Sequence, residues 1–322
     1  MTAAAPEFDV VTIGECMVLF CADDPGALVD ASRFTKRIAG AETNVAIGLA
    51  RLGARVAWVS RVGADSFGAH VLATLRGHGV NCDHVRVDPE RGTGFMLKGR
   101  AEHGEDPAIE YHRRGSAASR LSPGDFDEGL LRSARHLHVT GVSVALSDTC
   151  ADLVERAMRF MRDNGRSVSF DPNLRPRLWP SAQQMIERIN HFAALATWVL
   201  PGLVEGRLLT GRTTPEEVAA YYLDRGASAV VLKCGADGAT FHTATESAAI
   251  PGIAVKHVVD TVGAGDGFAA GVIGARLEGR SWHEAVTRGN AIGACVIQSA
   301  GDVEGLPDRE GLRRLQGFEI GR

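Results

Sequence analysis

The stretch DTVGAGDGFAAG, residues 260–271, sets Gly263, Ala264 and Gly265 directly before Asp266 and leads into a small, aliphatic helical pattern. Successive backbone N–H groups at a glycine-rich helix start point outward and carry the positive end of the helix dipole, so this turn predicts an anion site. Gly263 and Gly265 let the backbone approach a phosphate closely. No GK[ST] follows, which excludes a Walker loop, and the third glycine of a dinucleotide fingerprint would fall on Phe268. Asp266 has two readings. As a lone carboxylate in a first turn it complements the helix dipole, an effect of roughly 0.3–1 kcal/mol. Beside an anion nest, however, a carboxylate repels the anion unless it has work there. Phosphoryl transfer to an alcohol supplies such work, because the attacking hydroxyl must be oriented and its proton accepted.

Such a turn needs a scaffold, and the chain supplies one. Apolar runs ending in Gly or Pro recur at 10–14, 54–63, 136–141, 167–172, 197–202 and 229–235, each predicting a buried strand. Helical patterns lie at 43–53, 67–79, 148–165 and 215–226. Alternating strand and helix predicts an α/β fold with a mainly parallel sheet covered on both faces. Residues 15–37 and 92–114 break this rhythm with polar interruptions, predicting a small β-sheet that covers the site as a lid. No linker divides the chain, so 1–322 is expected to form one domain. Open parallel sheets bind ligands beyond the carboxyl ends of their strands, which selects Asn173 and Arg175, Gly202 to Glu205, Lys233 to Gly238, and the opening stretch.

The 322 residues are 45% hydrophobic with a formal charge of -4, which allows a sizeable core and supplies no basic field for nucleic acid. Six cysteines stand far apart without a CxxC pair, arguing against a zinc knuckle or disulfide framework and for free thiols in a reducing cytoplasm. The N-terminal residues lack the pattern of a secretory signal, and no apolar run approaches the ~18 residues of a membrane span. A cytoplasmic enzyme or binding protein is the expectation.

DTVGAGDGFAAG resembles the C-terminal signature of the ribokinase-like (PfkB) carbohydrate kinases, and AGAETNVAIGLARLGARVAWVSRVGADSFG (39–68) resembles their N-terminal signature. The resemblance runs from about Val10 to Pro307. Within the family the segments EYHRRGSAASRLSP (110–123), GVSVALS (141–147), DPNLRPRLW (171–179) and GDVEGLP (301–307) are most similar to 2-keto-3-deoxygluconate kinases. The resemblance implies a three-layer αβα core with a small β lid. It also implies ATP and Mg²⁺, a monovalent cation as an optional third, a sugar-acid substrate, and a homodimer or higher homo-oligomer.

Position by position, the resemblance makes Asp266 the base and Gly263, Ala264 and Gly265 the anion hole. Asp260 and Thr261 match a turn that in some relatives holds a monovalent cation, with Val262 where many have Thr. Gly40, Ala41 and Asn44 match sugar contacts, although the family usually writes GG where this chain has Ala39 and Gly40. Asn44 reads equally well as an N-cap. Tyr111 and Arg113 match a pair reaching from the lid to the substrate, a guanidinium being suited to two parallel bonds with a carboxylate. From the residues alone, Arg113 and Arg114 read equally well as a solvated pair on an edge strand. Met96 stands where some relatives place a tyrosine. Asn173 and Arg175 match nucleotide and substrate contacts, and Asp302 a sugar contact that base rates alone would leave as a solvated loop residue. Lys233, Gly235, Ala236, Asp237 and Gly238 match the loop along the nucleotide, and Asn290 flanks the adenine. Glu205 matches an acidic residue that organises Mg²⁺ through water, its usual partner asparagine being Gly202 here. Rivals within the class are fructokinase and 5-dehydro-2-deoxygluconokinase. A nicotinamide dehydrogenase is disfavoured because the first strand is followed by GECMVLF instead of GxGxxG, and a non-catalytic sugar sensor because Asp266 is intact.

Overall fold

The computed structural model describes residues 6–100 and 108–319. Its strands are β1 (Phe8–Ile13), β2 (Met17–Ala22), β3 (Phe34–Ala39), β4 (Val56–Gly63), β5 (Val85–Asp88), β6 (Phe95–Lys98) and β7 (Ile109–His112). They continue with β8 (Ala134–Thr140), β9 (Ser167–Asp171), β10 (Trp198–Val199), β11 (Ala229–Lys233), β12 (Ala239–Thr243) and β13 (Ser247–Ile250). Nine strands form one sheet in the order β13-β12-β11-β10-β9-β8-β1-β4-β5. It is parallel from β5 to β11, with β12 and β13 added as antiparallel ribs.

Side chains alternate across this sheet with period two. On one face Val11, Ile13, Val59, Leu137, Val139, Phe170 and Leu232 pack beneath the helices Asp148–Asp163, Ala182–Leu195 and Pro215–Leu223. On the other, Val10, Trp58 and Val231 meet the helices Ala41–Arg51, Ser66–Gly77, Ala264–Leu277 and Trp282–Val296. This is the expected three-layer αβα core. On that second face β8 and β9 are polar. His136, His138 and Ser169 are fully buried and hydrogen-bonded to one another, and the row leads toward Thr140 and Asp171 at the strand ends. Burial lowers the His138 pKa to about 3, so this row is neutral.

The two segments that broke the βα rhythm form a second, four-stranded sheet in the order β3-β2-β6-β7. Part of the segment expected at 92–114, residues 101–107, lies outside the described residues. The run expected at 197–202 shrinks to the two residues of β10, because Pro201 has no N–H to continue the ladder. The first long helix starts at Ala41, earlier than the apolar pattern suggested, with Gly40 as its N-cap. Asn44 is therefore inside the helix, and the capping reading of it is corrected.

Candidate active site

The carboxyl ends of β9 and β11 and the start of the helix Ala264–Leu277 open on one cleft of about 410 Å³. Asp171, Asn173, Arg175, Glu205, Lys233, Gly263, Gly265 and Asp266 line it, and Ile109 and Tyr111 of β7 close it from the small sheet. Most of the segments selected as strand-end loops thus converge, as the rule for open sheets requires.

Gly263 is the N-cap of its helix at φ 82°, a left-handed conformation that side chains rarely adopt. A Cβ there would come within 2.5 Å of the Asp302 carbonyl oxygen. The N–H groups of Gly265 and Asp266 find no backbone acceptor among the described residues, which leaves them aimed at the cleft. Asp266 lies in the first turn, where its carboxylate complements the helix dipole, and it makes no capping hydrogen bond. Its Oδ2 accepts a hydrogen bond from Asn44 Nδ2 at 2.8 Å. That contact depends on two helices in close approach, since a Cβ on Gly48 would lie 2.8 Å from the Ala270 Cβ. Burial, opposed by the Asn44 bond, raises the Asp266 pKa to about 7, with the carboxylates of Asp171 and Asp302 adding to the rise. The group is poised between acid and base at neutral pH.

Lys233 stands beside the turn, its Nζ 2.5 Å from Asp171 Oδ2 and 3.5 Å from where a Cβ on Gly265 would sit. Burial works against its charge, but Asp171 and Glu205 outweigh it and hold the pKa above the ordinary lysine value. The helix start and this ammonium give the cleft two sources of positive potential. Downstream of Lys233, the exposed turn Gly235–Asp237 ends at Gly238, and Gly252 N donates to the Asp237 carbonyl. Asn290 donates its amide to the carbonyls of Ile250 and Pro251, so it ties the helix Trp282–Val296 to the loop covering that turn.

Glu205 accepts from Gly202 N at 2.8 Å and Leu174 N at 3.0 Å, capping its own helix and holding the loop after β9. In that loop Asn173 and Arg175 take φ of 36° and 46°, left-handed values that cost non-glycine residues energy and cluster at functional sites. Arg175 projects into the cleft and makes no ion pair among the described residues. Arg113 differs. It is buried, and its Nε and Nη2 both engage Glu15 Oε2, at 2.6 and 2.5 Å, while Ser116 bonds the other carboxylate oxygen. The solvated edge pair is thus half correct, since Arg114 is exposed and Arg113 is not. Met96 is buried opposite Tyr111 in the small sheet, packed with Met17 and Leu19.

Asp302 is buried against the Gly263 turn, not a solvated loop residue, and its Oδ2 lies 3.5 Å from Asn44 Nδ2. Gly40 and Ala41 start the helix that carries Asn44. Four positioning groups were not foreseen. Glu15 pairs with Arg113, and Asp171 with Lys233. Lys98 of β6 pairs with Asp260 and Asp302. Glu42 accepts from Thr140 N, Thr140 Oγ1 and Ser143 Oγ. Each meets partners distant in sequence, and no local spacing announces such a contact.

The donor set suits a nucleotide and a divalent cation. Oriented N–H groups and an ammonium fit phosphate, and Glu205 keeps a spare lone pair on each oxygen for a hydrated metal. No group of three or more His, Cys, Asp or Glu among the described residues could cage a metal directly. No helix among them is long and apolar enough to cross a membrane.

Comparison with known proteins agrees with this geometry. The chain is 49% identical to 2-dehydro-3-deoxygluconokinase of Bacillus subtilis (strain 168), over 95% of this chain and 94% of that one. A PfkB protein from Polaromonas sp. JS666 superposes with a TM-score of 0.87 at 51% identity, covering 95% and 99% of the two chains. A putative Ribokinase II from E. coli, solved in complex with ATP and Mg²⁺, superposes with a TM-score of 0.88 at 29% identity, covering 98% and 100%. The model of the pfkB family carbohydrate kinases matches residues 7–309, and the chain belongs to that family.

Proposed function

We propose that the chain is an ATP-dependent sugar-acid kinase that phosphorylates the terminal hydroxyl of 2-keto-3-deoxygluconate. The observation that carries the chemistry is the Asp266 carboxylate, buried and held by Asn44 within one turn of outward-facing N–H groups. In this reading Asp266 takes the proton of the acceptor hydroxyl as it attacks. The N–H groups of the Gly263–Gly265 turn stabilise charge on the transferring phosphoryl group. Lys233 and Asn173 hold phosphate, Gly235 to Gly238 and Asn290 shape the nucleotide's bed, and Glu205 organises Mg²⁺ through water. Gly40, Ala41, Asn44, Tyr111 and Asp302 surround the sugar. The four-stranded sheet acts as a lid on a single kinase unit, excluding water that would compete as acceptor.

Arg175 carries the acid specificity, because its guanidinium is open to a carboxylate in the same cleft. The 49% identical relative bears the matching name. One observation favours a neutral sugar instead. Arg113, the second arginine expected to meet a carboxylate, already neutralises Glu15. A fructokinase is therefore the second reading, while 5-dehydro-2-deoxygluconokinase, whose substrate is also an acid, is a rival within the first. Coupled measurement of ADP release across 2-keto-3-deoxygluconate, 5-dehydro-2-deoxygluconate and fructose tests both. A kcat/KM for the first that exceeds the others supports the acid reading, and a higher value for fructose rejects it.

A further inference from the structure

Lys98 lies on β6 of the small sheet, yet its ammonium leaves that sheet and ends between Asp260 and Asp302. All three side chains are at least nine-tenths buried. An unpaired ammonium in such a place would discharge its proton. Here burial opposes the charge, but Asp302 and Asp260 outweigh it and keep Lys98 above the ordinary lysine range. The two carboxylates are not idle partners. Asp260 accepts from Val262 N at 3.1 Å and Gly301 N at 3.3 Å, so it joins the anion-binding turn to the loop after the helix Trp282–Val296. Asp302 abuts Gly263 through its carbonyl and approaches Asn44, the residue that donates to the base. A second cation of the small sheet reinforces the grip, for Arg37 donates to Ala300 O and pairs with Glu304, both at 2.7 Å.

We propose that Lys98 is a positioning residue, a tethered cation that fixes the 260–266 turn and makes turnover independent of any free alkali-metal ion. Its ammonium neutralises the two carboxylates that would otherwise attract such an ion, and it arrives on the sheet that closes the cleft. Seating the small sheet and organising the turn are then one event. The inference rests on the kinase reading of Asp266 and its turn, not on which sugar is bound.

The test titrates KCl and NH₄Cl into choline chloride buffer for wild type, Lys98→Ala and Lys98→Met, reading kcat, KM and Tm. Wild-type kcat should be flat in both salts. In Lys98→Ala, kcat should fall on the order of 10²-fold, the scale of a small misplacement of reacting groups. The KM values should move by no more than about twofold, since an interaction lost mainly in the transition state lowers kcat. Ammonium, filling the vacated space, should restore about tenfold of the lost rate in Lys98→Ala and raise its Tm, with neither effect in wild type. The bulkier Lys98→Met should respond less. Activation of the wild type by potassium overturns the proposal. So does a Lys98→Ala enzyme with wild-type kcat, or one whose rate and Tm ignore both cations. If neither variant folds, the wild-type titration decides alone. The Tm reading needs no turnover, so a wrong sugar assignment fails separately in the substrate panel.

Discussion

At the scale of single residues, the base proposed at Asp266 must meet two requirements that ordinarily conflict. A base must be ionised to accept a proton, yet burial favours its neutral form and brings the pKa to about 7. The folded protein therefore binds a proton on Asp266 between about pH 4 and 7 that the unfolded chain releases, and stability from this group declines as pH rises across that window. Activity runs the opposite way. We expect kcat/KM to rise with pH and level off above about 7, falling about tenfold per unit below it. Asp266→Asn should lower kcat by roughly 10²–10⁴-fold. Its Tm at pH 8 should equal or exceed wild type, because a buried charge has been removed. Thermal melts and a pH-rate profile check both, and a folded variant with retained turnover refutes the base. The arginines should separate in the same measurements. Arg175→Ala removes a charged hydrogen-bonding partner of about 1.5–3 kcal/mol, raising KM for the acid with little change in Tm. Arg113→Ala strands the buried Glu15 and should cost about 3–5 kcal/mol of stability, read by urea unfolding.

At the scale of elements, the site depends on how closely two helix starts approach. Gly263 in its left-handed conformation lets the 260–266 turn lie against the Asp302 backbone. Gly263→Ala meets both a positive φ and that carbonyl, so about 1–3 kcal/mol of destabilisation is expected together with a drop in kcat. Denaturant unfolding beside turnover measures it, and an unperturbed variant would show that the turn tolerates a side chain. The elements themselves were largely legible. Apolar runs such as 167–172 and the helical pattern 148–165 appear where hydrophobic patterning places them, since a sheet covered on both faces dictates that pattern locally. Asp266 and the glycines before it were legible because a turn is a local object. The charge pairs around them were not. Lys98 with Asp260, Glu15 with Arg113 and Asp171 with Lys233 are pairs made by the topology, and their members are ordinary charged residues in sequence.

At the scale of the whole molecule, the nine-stranded sheet supplies a rigid floor, and the four-stranded sheet stands over its carboxyl edge. Ligands that bridge the two should stabilise the fold by mass action, about 2.7 kcal/mol at a hundredfold excess over Kd. Nucleotide and 2-keto-3-deoxygluconate together should raise Tm above either alone, and Arg175→Ala should lose the sugar's share while keeping the nucleotide's. An identical sugar response in the variant would remove Arg175 from the substrate's surroundings. The loop after β9 carries a wider consequence. Two consecutive odd positions, Asn173 and Arg175, hold a backbone conformation better suited to glycine, while Glu205 and Trp179 pin the Leu174 between them. Glycine at 175 would relax the backbone, yet it would delete the one guanidinium that lines the cleft among the described residues. Selection for thermal robustness and selection for substrate discrimination therefore pull this codon in opposite directions, and variants that gain one by mutation here are expected to forfeit the other.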